Sequence, residues 1–251
     1  MNVLIVGGSG GIGWALCKTL STLPNVTVMA TYRQGVPKEA EDYSDIVWLP
    51  LDVCEPSQYA PLVEGITEVL SGVQDKGVEQ PARLDWVINC VGQLSIDQAQ
   101  PEKNLKSIEA ERFAKAMQVN TLPTLLLAQY LQSLLRRSTA PRFATISARV
   151  GSISDNGLGG WYSYRCSKAA LNMALKNISI EWGRLMPNSC TVALHPGTTD
   201  TSLSKPFQAN VPEHKLFSTD KTARLLIGVL MSLQRENNGQ FLAFDGSLIE
   251  W

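Results

Sequence analysis

The sequence lacks any large excess of one charge. It carries 22 Lys and Arg residues against 23 Asp and Glu residues, which leaves a formal net charge of −1. Arg136 and Arg137 form the only adjacent basic pair. Because a nucleic-acid-binding surface needs clustered Lys and Arg side chains, we expect no nucleic-acid partner.

The sequence also lacks a CxxC cysteine pair and the features expected of a secretion signal. Residues 1–6 run directly into glycines, without a basic region or a cleavage site, so we expect no signal peptide. The five cysteines are an odd number, scattered and without a CxxC pair, which disfavours a disulfide framework and a metal site. We therefore expect a cytoplasmic protein with reduced thiols and no metal. The cysteines are Cys17, Cys54, Cys90, Cys166 and Cys190.

Only one uncharged stretch is long enough to raise the question of a membrane span. Residues 116–135 are 20 residues without a charge, which is the length that a bilayer requires. The stretch contains Gln118, Asn120, Gln129 and Gln132, whose side chains are costly to bury in hydrocarbon. We therefore expect no membrane span and interpret the stretch as a buried or subunit-facing helix.

Short apolar runs alternate with helical patterns along the whole chain. Consecutive apolar residues within a run are typical of parallel strands that are covered on both faces. The alternation predicts an α/β fold, with a doubly wound parallel sheet of about seven strands flanked by helices. The length of 251 residues suits one large domain, and no linker-like stretch divides it. The predicted strands are 2–6, 26–32, 46–51, 84–90, 142–147, 189–195 and 240–244, and the main helices are 11–23, 58–73, 108–137, 163–184 and 219–234.

A glycine-rich loop follows the first predicted strand and leads into a helix. Gly7, Gly11 and Gly13 give the spacing GxxxGxG. Such spacing suits a tight turn, a close approach of pyrophosphate to the backbone, and close packing of the helix on the strand. The first N–H groups of the helix would face the phosphates. We therefore predict a dinucleotide site that includes Ser9 and Ile12, although an ordinary glycine-rich turn has the same composition.

The end of the second strand favours NADP(H) over NAD(H). NAD sites place a carboxylate about 20 residues after the loop, where it binds the ribose 2′-hydroxyl. Here the strand ends at Arg33 and the first acid is Glu39. An arginine pairs with a 2′-phosphate, although it is also a common surface residue. Asp52, beside Val53 after the third strand, either accepts a hydrogen bond from the adenine amino group or forms a turn.

Tyr164 and Lys168 stand four residues apart, which places both side chains on one face of a helix. A free tyrosine has a pKa of about 10, too high for easy proton exchange at neutral pH. An ammonium at ~4 Å favours the phenolate by ~4 kcal/mol at an effective dielectric near 20, before desolvation opposes it. The pair therefore suggests a general acid or base for a carbonyl and its alcohol.

These motifs, taken together and in this order, resemble the short-chain dehydrogenase/reductase superfamily over essentially the whole chain. Residues 151–153 and 160–165 resemble in particular the carbonyl-reductase branch that is related to the C-factor signalling protein. The matching residues are Gly7, Gly11, Ile12, Gly13, Asn89, Cys90, Val91, Gly92, Asn120, Tyr164, Lys168, Pro196 and Gly197.

The resemblance implies a single Rossmann-fold domain over residues 1–251 and direct hydride transfer between NADP(H) and a small carbonyl compound or its alcohol. Tyr164 would donate the proton, and Lys168 would lower its pKa and bind the nicotinamide ribose. Asn120 would hold a water molecule in the proton relay. Further cofactor contacts would come from Asn89, Gly92, Pro196, Gly197 and either Thr199 or Thr201. The family also implies a homodimer or homotetramer.

Two departures from the family pattern affect the predicted site. Cys90 stands where the family commonly has a polar side chain. Ala148 occupies the position of the serine that polarises the substrate carbonyl. We predict that Ser147 takes over this role, with Ser152 as the alternative; without either, one donor to the carbonyl oxygen is missing and the enzyme is slow.

Several alternatives remain open at this stage. The departure at Ala148 keeps a catalytically weak dinucleotide-binding signalling protein in view, whereas a methyltransferase has no use for Tyr164 and Lys168. Trp161 fits either a substrate pocket or the core. We interpret His195 as structural. Residues 201–217 lack periodicity and are interpreted as a lid over the substrate.

Overall fold

The computed structural model describes residues 1–72 and 81–251. The strands are β1 (Asn2–Val6), β2 (Thr27–Tyr32), β3 (Val47–Pro50), β4 (Trp86–Asn89), β5 (Arg142–Ile146), β6 (Cys190–His195), β7 (Thr198–Thr199), β8 (Leu216–Phe217) and β9 (Phe241–Ala243). The α-helices are α1 (Gly11–Ser21), α2 (Tyr59–Gly72), α3 (Ala110–Asn120), α4 (Leu122–Leu135), α5 (Tyr162–Leu185) and α6 (Thr219–Ser232). The predicted second helix extended to Val73, which lies outside the described residues.

The main sheet has seven parallel strands in the order β3-β2-β1-β4-β5-β6-β9. Its direction of winding reverses between β1 and β4, because β2 and β3 extend the sheet to one side and the later strands extend it to the other. This confirms the predicted doubly wound α/β fold. In such sheets the reversal opens a crevice at the carboxyl ends of the strands, where ligands bind.

Two apolar cores cover the two faces of the sheet. Leu4 and Val6 of β1 belong to the core under α2, α4 and α5, whereas Val3 and Ile5 belong to the core under α1 and α6. Side chains alternate between the faces of a strand, so a strand with a helix layer on each face must be apolar at every position. This is why the strands could be predicted from short continuous apolar runs.

The long helix predicted at 108–137 is broken in the structure. It divides at Thr121 into α3 and α4, and Pro123 stands in the first turn of α4. Proline has no N–H to donate to the carbonyl of Val119, and its ring clashes with that carbonyl, so the regular hydrogen-bond pattern of the helix is interrupted here. The Thr121 hydroxyl donates to the Ser167 carbonyl at 2.8 Å, which ties the break to α5.

Residues 201–217 have more regular structure than their sequence suggests. β7 and β8 pair in parallel, and two short 3-10 helices, Lys205–Asn210 and Glu213–Lys215, lie between them. Two-residue strands are too short to produce a periodic pattern, so the sequence gives no sign of this pairing. The pairing holds both ends of the segment beside the carboxyl end of β6.

No α-helix in residues 1–72 and 81–251 is both long and apolar enough to cross a bilayer.

Candidate active site

A cavity of about 680 Å³ opens at the carboxyl ends of the central strands. It brings together most of the residues predicted from the sequence. Four predicted residues, Gly13, Asp52, Asn89 and Asn120, lie outside its lining. The predicted residues that line the cavity are Gly7, Ser9, Gly11, Ile12, Arg33, Val53, Gly92, Ser147, Tyr164, Lys168, Pro196, Gly197, Thr199 and Thr201.

Glycine is suited to each position of the first loop for a different structural reason. A Cβ atom on Gly13 would lie 2.2 Å from the Gly7 carbonyl oxygen, so Gly13 allows α1 to pack against the loop. Gly7 has φ +79°, and a Cβ there would lie 2.9 Å from Val91 Cγ2. A Cβ atom on Gly10 would have no neighbour within 4 Å. Gly10 also has no side chain to cap α1, so the first turn of the helix is open to the cavity. This arrangement fits a diphosphate held by backbone N–H groups.

The far end of the same cavity is formed where β2 ends. Arg33 is exposed and lines the cavity next to Tyr32. The Thr31 hydroxyl oxygen accepts a hydrogen bond from Gly7 N–H at 3.0 Å, which joins the end of β2 to the glycine loop. A cationic side chain at this end of a dinucleotide cavity fits an additional phosphate.

Two predicted cofactor residues shape turns beside the cavity. Asp52 Oδ1 accepts a hydrogen bond from Cys54 N–H at 3.0 Å, which corresponds to the turn-forming alternative. Asn89 Oδ1 accepts from Val91 N–H at 3.0 Å, and its amide donates to the Thr124 hydroxyl. Both side chains therefore position the loop residues that do line the cavity.

Tyr164 and Lys168 lie in the first two turns of α5 and are only 6% and 2% exposed. Lys168 Nζ donates to the Ile146 carbonyl at 3.0 Å and lies 5.8 Å from the centre of the Tyr164 ring. Burial raises the pKa of Tyr164 well above its usual value and lowers the pKa of Lys168 to about 8. The expected lowering of the tyrosine pKa is therefore not seen here, because burial disfavours the charged form of each group.

The lowered pKa of Lys168 predicts a pH dependence of stability. Its pKa falls from 10.5 to about 8 on folding. Between these values the unfolded chain keeps a proton that the folded chain has released, so stability rises with pH in this window. We therefore compare the unfolding free energy of the wild type with that of Lys168→Met. The difference between the two, wild type minus variant, is expected to increase by about 2 kcal/mol from pH 8 to pH 10.

Denaturant titrations of both proteins at the two pH values measure this difference. Lys176→Met is the matched control on the same helix, because the Lys176 amine also donates to a backbone carbonyl, that of Gly239. If the unfolding free energies of the wild type and of Lys168→Met change equally from pH 8 to 10, Lys168 is not desolvated as described.

Asn120 ties the loop after β4 to α5. Its Oδ1 accepts a hydrogen bond from Gln93 N–H at 2.8 Å, and its amide donates to the Gln93 carbonyl and to the Ser167 hydroxyl. A Cβ atom on Gly92 would lie 3.1 Å from Lys168 Nζ and 3.4 Å from Asn120 Oδ1. Asn120 therefore lies beside the lysine with its side chain engaged by protein groups, and its role in a water relay stays a prediction.

Ala148 and the two candidate serines that could replace the missing donor have different surroundings. Ala148 and Ser147 both line the cavity. The Ser147 hydroxyl is buried and donates to Asn172 Oδ1 on α5 at 2.7 Å. Ser152 lies outside the lining, and its hydroxyl oxygen accepts from Asp155 N–H. Asn172, which the sequence analysis did not identify, fixes the Ser147 hydroxyl and also donates to the Gly151 carbonyl.

Two further aromatic rings, those of Trp161 and Phe207, form a wall of the cavity beside Tyr164. The ring centre of Trp161 lies 6.4 Å from that of Tyr164 and 5.4 Å from that of Phe207. Trp161 therefore belongs to the pocket rather than to the core. Phe207 was missed because it lies in the aperiodic segment 201–217. Other apolar residues of this end are Leu94, Val119, Val150 and Leu203.

His195 lines the cavity at the end of β6. Burial and the nearby Arg149 guanidinium lower its pKa to about 4, so the imidazole is uncharged at neutral pH. Its Nδ1 accepts a long hydrogen bond of 3.4 Å from Arg149 N–H. This contact to the loop after β5 agrees with the structural interpretation of His195.

Comparison with known protein sequences agrees with this geometry. The family model for short chain dehydrogenases matches residues 1–212. The 1-hydroxy-2-glutathionyl-2-methyl-3-butene dehydrogenase of Rhodococcus sp. (strain AD45) is 27% identical over 250 residues, covering 100% of this chain and 99% of that protein. The C-signal protein of Myxococcus xanthus is 32% identical over 148 residues, covering 59% of this chain and 83% of that protein.

Two solved structures share the fold over the full length of the chain. The carbonyl reductase Sniffer of D. melanogaster superposes with a TM-score of 0.83 at 24% identity, covering 100% of this chain and 99% of that chain. An NADPH-bound carbonyl reductase from chicken fatty liver also has a TM-score of 0.83, at 25% identity, covering 100% of this chain and 94% of that chain.

Proposed function

Because this chain belongs to the short chain dehydrogenase family, in the branch of carbonyl reductases and C-factor that its motifs predicted, we propose that it is an NADP(H)-dependent carbonyl reductase. The observation that carries the proposal is one cavity whose lining includes the glycine loop and Arg33, which follow β1 and β2, together with Tyr164, Lys168 and Trp161 at the start of α5. A dinucleotide and a small substrate fit such a shape end to end.

The cofactor would lie along the edge of the sheet. The open first turn of α1 would bind the diphosphate through backbone N–H groups. Arg33 would pair with the 2′-phosphate of NADP(H). The chicken carbonyl reductase that shares this fold binds NADPH, which supports this choice of cofactor. Pro196, Gly197 and Thr199 line the opposite end and would contact the nicotinamide. When bound, the cofactor supplies the hydride.

Tyr164 would supply the proton that completes the reduction of a carbonyl. Its raised pKa keeps the phenol protonated at neutral pH, which is the form that donates. The ammonium of Lys168 would then stabilise the phenolate that donation leaves behind, because opposite charges attract strongly in a dehydrated site. The same ammonium, beside Gly92, would bind the ribose hydroxyls.

The substrate end favours an apolar or aromatic carbonyl compound. Trp161 and Phe207 form a tilted pair above Tyr164, and the adjoining lining is aliphatic. A flat substrate would bury apolar area there while its oxygen points towards the phenol.

A panel of aromatic and aliphatic aldehydes and ketones tests the proposal. We expect steady oxidation of NADPH at 340 nm, with a higher kcat/KM for the aromatic members. Tight binding of NADPH without consumption by any member would instead favour the second candidate function.

That second candidate is a dinucleotide-binding signalling or regulatory protein with little turnover. Two observations favour it: Ala148 has no donor group, and the Ser147 hydroxyl is engaged by Asn172. A substrate carbonyl would then receive a hydrogen bond only from Tyr164, and loss of one such donor typically costs about 10²–10³-fold in kcat.

A pair of substitutions identifies the donor to the carbonyl oxygen. Ala148→Ser is expected to raise kcat at least about tenfold if the site lacks a donor, because one hydrogen bond to the transition state increases kcat by this factor or more. Ser147→Ala is expected to lower kcat by about 10²-fold if Ser147 supplies the bond. Steady-state kinetics of both variants decide between the two residues; if neither variant changes kcat, no serine at either position assists the reaction.

We also propose that residues 1–251 form one domain and that the chain assembles as a homodimer or homotetramer. Leu122 and Leu125 of α4 and Met173 and Ile180 of α5 expose 37%, 42%, 61% and 48% of their surface. In the family the corresponding helices pair between subunits, and a second copy of the chain would cover these side chains. The mass in solution, measured by light scattering, is expected to be two or four times 27.4 kDa.

A further inference from the structure

We propose that Glu102 is a positioning residue for Tyr164. It lies in the loop between β4 and α3, distant in sequence from α5, yet it holds the first turn of that helix. The inference rests on the proposed function, because it assigns to Glu102 the placement of the proton donor.

Glu102 makes three contacts with the start of α5. The residue is 9% exposed, and its Oε2 accepts a hydrogen bond from Ser163 N–H at 3.2 Å. Its Oε1 accepts from the Ser163 hydroxyl, and its main-chain carbonyl accepts from Trp161 N–H. One residue thus binds the helix on both sides of Tyr162.

The start of α5 has little local support of its own. Gly159, Gly160 and Trp161 have φ values of +64°, +67° and +49°, so three consecutive residues are left-handed. This conformation is unfavourable for tryptophan by about 1–2 kcal/mol. Trp161 is also the N-cap residue, and its side chain does not cap the helix. The N–H groups of a first turn need partners from elsewhere, and a carboxylate at a helix N-terminus is favoured by the helix dipole.

The residues that Glu102 holds are those that face the substrate. Trp161 forms the aromatic wall of the cavity, and Tyr164 follows Ser163 directly. If the carboxylate is removed, Ser163 N–H and the Ser163 hydroxyl lose their partner, and the phenol of the next residue, Tyr164, can move, whereas the main-chain contact to Trp161 remains. A displacement of about 1 Å at the reacting group can cost about 10²-fold in rate. The glycine loop follows β1 and Arg33 follows β2, and neither is among the groups that Glu102 contacts in the hydrogen bonds described above.

The test compares Glu102→Ala with Glu102→Gln and with Asn104→Ala. A glutamine carbonyl can still accept from Ser163 N–H, and its amide can donate to the Ser163 hydroxyl. Asn104 lies in the same loop but accepts hydrogen bonds from Lys106 N–H and the Ser107 hydroxyl, so it controls for disturbance of the loop.

For Glu102→Ala, with a carbonyl compound that the wild type reduces, we expect kcat to fall about 10- to 100-fold. The Kd for NADPH should stay within about twofold of the wild-type value. Glu102→Gln should recover kcat to within about fivefold of the wild type, and Asn104→Ala should match the wild type. A purely structural role predicts instead that Glu102→Ala and Glu102→Gln lose stability and kcat together, without selective recovery.

An active wild type combined with an unchanged kcat in Glu102→Ala overturns this inference and leaves the proposed function standing. A wild type without turnover overturns both. If Glu102→Ala yields no folded protein, Ser163→Ala removes the hydroxyl contact alone. In that variant a severalfold loss of kcat at constant NADPH affinity supports the inference, and an unchanged kcat overturns it.

Discussion

Tyr164→Phe is expected to lower kcat for carbonyl reduction by about a thousandfold, while the Kd for NADPH changes less than about threefold. Phenylalanine preserves the ring, so the edge contact with Trp161 and the packing under Lys168 remain. Only the hydroxyl is lost, and with it the proton donor. General acid catalysis of this kind contributes about 10²–10⁴-fold.

Two measurements separate chemistry from binding in this variant. Single-turnover oxidation of NADPH reports the chemical step, and a fluorescence titration reports the affinity for NADPH. Tyr162→Phe is the matched control, because it makes the same chemical change two residues earlier on α5, at a side chain that is not part of the cavity lining. A kcat within tenfold of the wild type in Tyr164→Phe would remove the phenol from the proposed mechanism.

The fold could be predicted because its signals are local. Apart from the edge strand β3, the strands of the main sheet are buried on both faces, so a short apolar run at β1 or β6 identifies the strand to within a residue or two. The break between α3 and α4 was missed although Pro123 was visible, because the apolar pattern continues across it. The β7–β8 pair was missed because a strand of two residues is too short to show an alternating hydrophobic pattern.

The site was most predictable where a motif is contiguous. The glycine loop and the Tyr164–Lys168 pair are each encoded within a few residues, and both line the cavity. Glu102 binds Ser163 across 61 residues of sequence, and Asn172 binds Ser147 across 25. No spacing rule connects such partners, because their approach is created by the packing of α5 against neighbouring loops. The burial of Lys168 likewise follows from that packing. Because both groups are buried, the pKa of Tyr164 is raised rather than lowered as expected.

Arg33→Asp is expected to reverse the preference between the two nicotinamide dinucleotides. Arg33 is exposed at the end of β2, where it is free to pair with a 2′-phosphate in a charge-assisted, bidentate manner. Aspartate removes this pairing, repels the phosphate and can accept a hydrogen bond from a ribose 2′-hydroxyl instead. A loss of about 3 kcal/mol lowers the ratio of kcat/KM for NADPH to that for NADH by about 10²-fold.

The change in overall charge must be separated from the change at the cofactor. Arg149→Asp provides the control, because it alters the net charge equally and lies in the cavity lining beside Ala148, away from Arg33. Steady-state kinetics with both cofactors should give an unchanged NADPH-to-NADH ratio for Arg149→Asp and an inverted ratio for Arg33→Asp. If the two variants shift the ratio equally, the preference comes from the general potential of the cavity rather than from a direct contact. If neither shifts it, Arg33 is a solvated surface residue and the choice of cofactor is made elsewhere along β2 and β3.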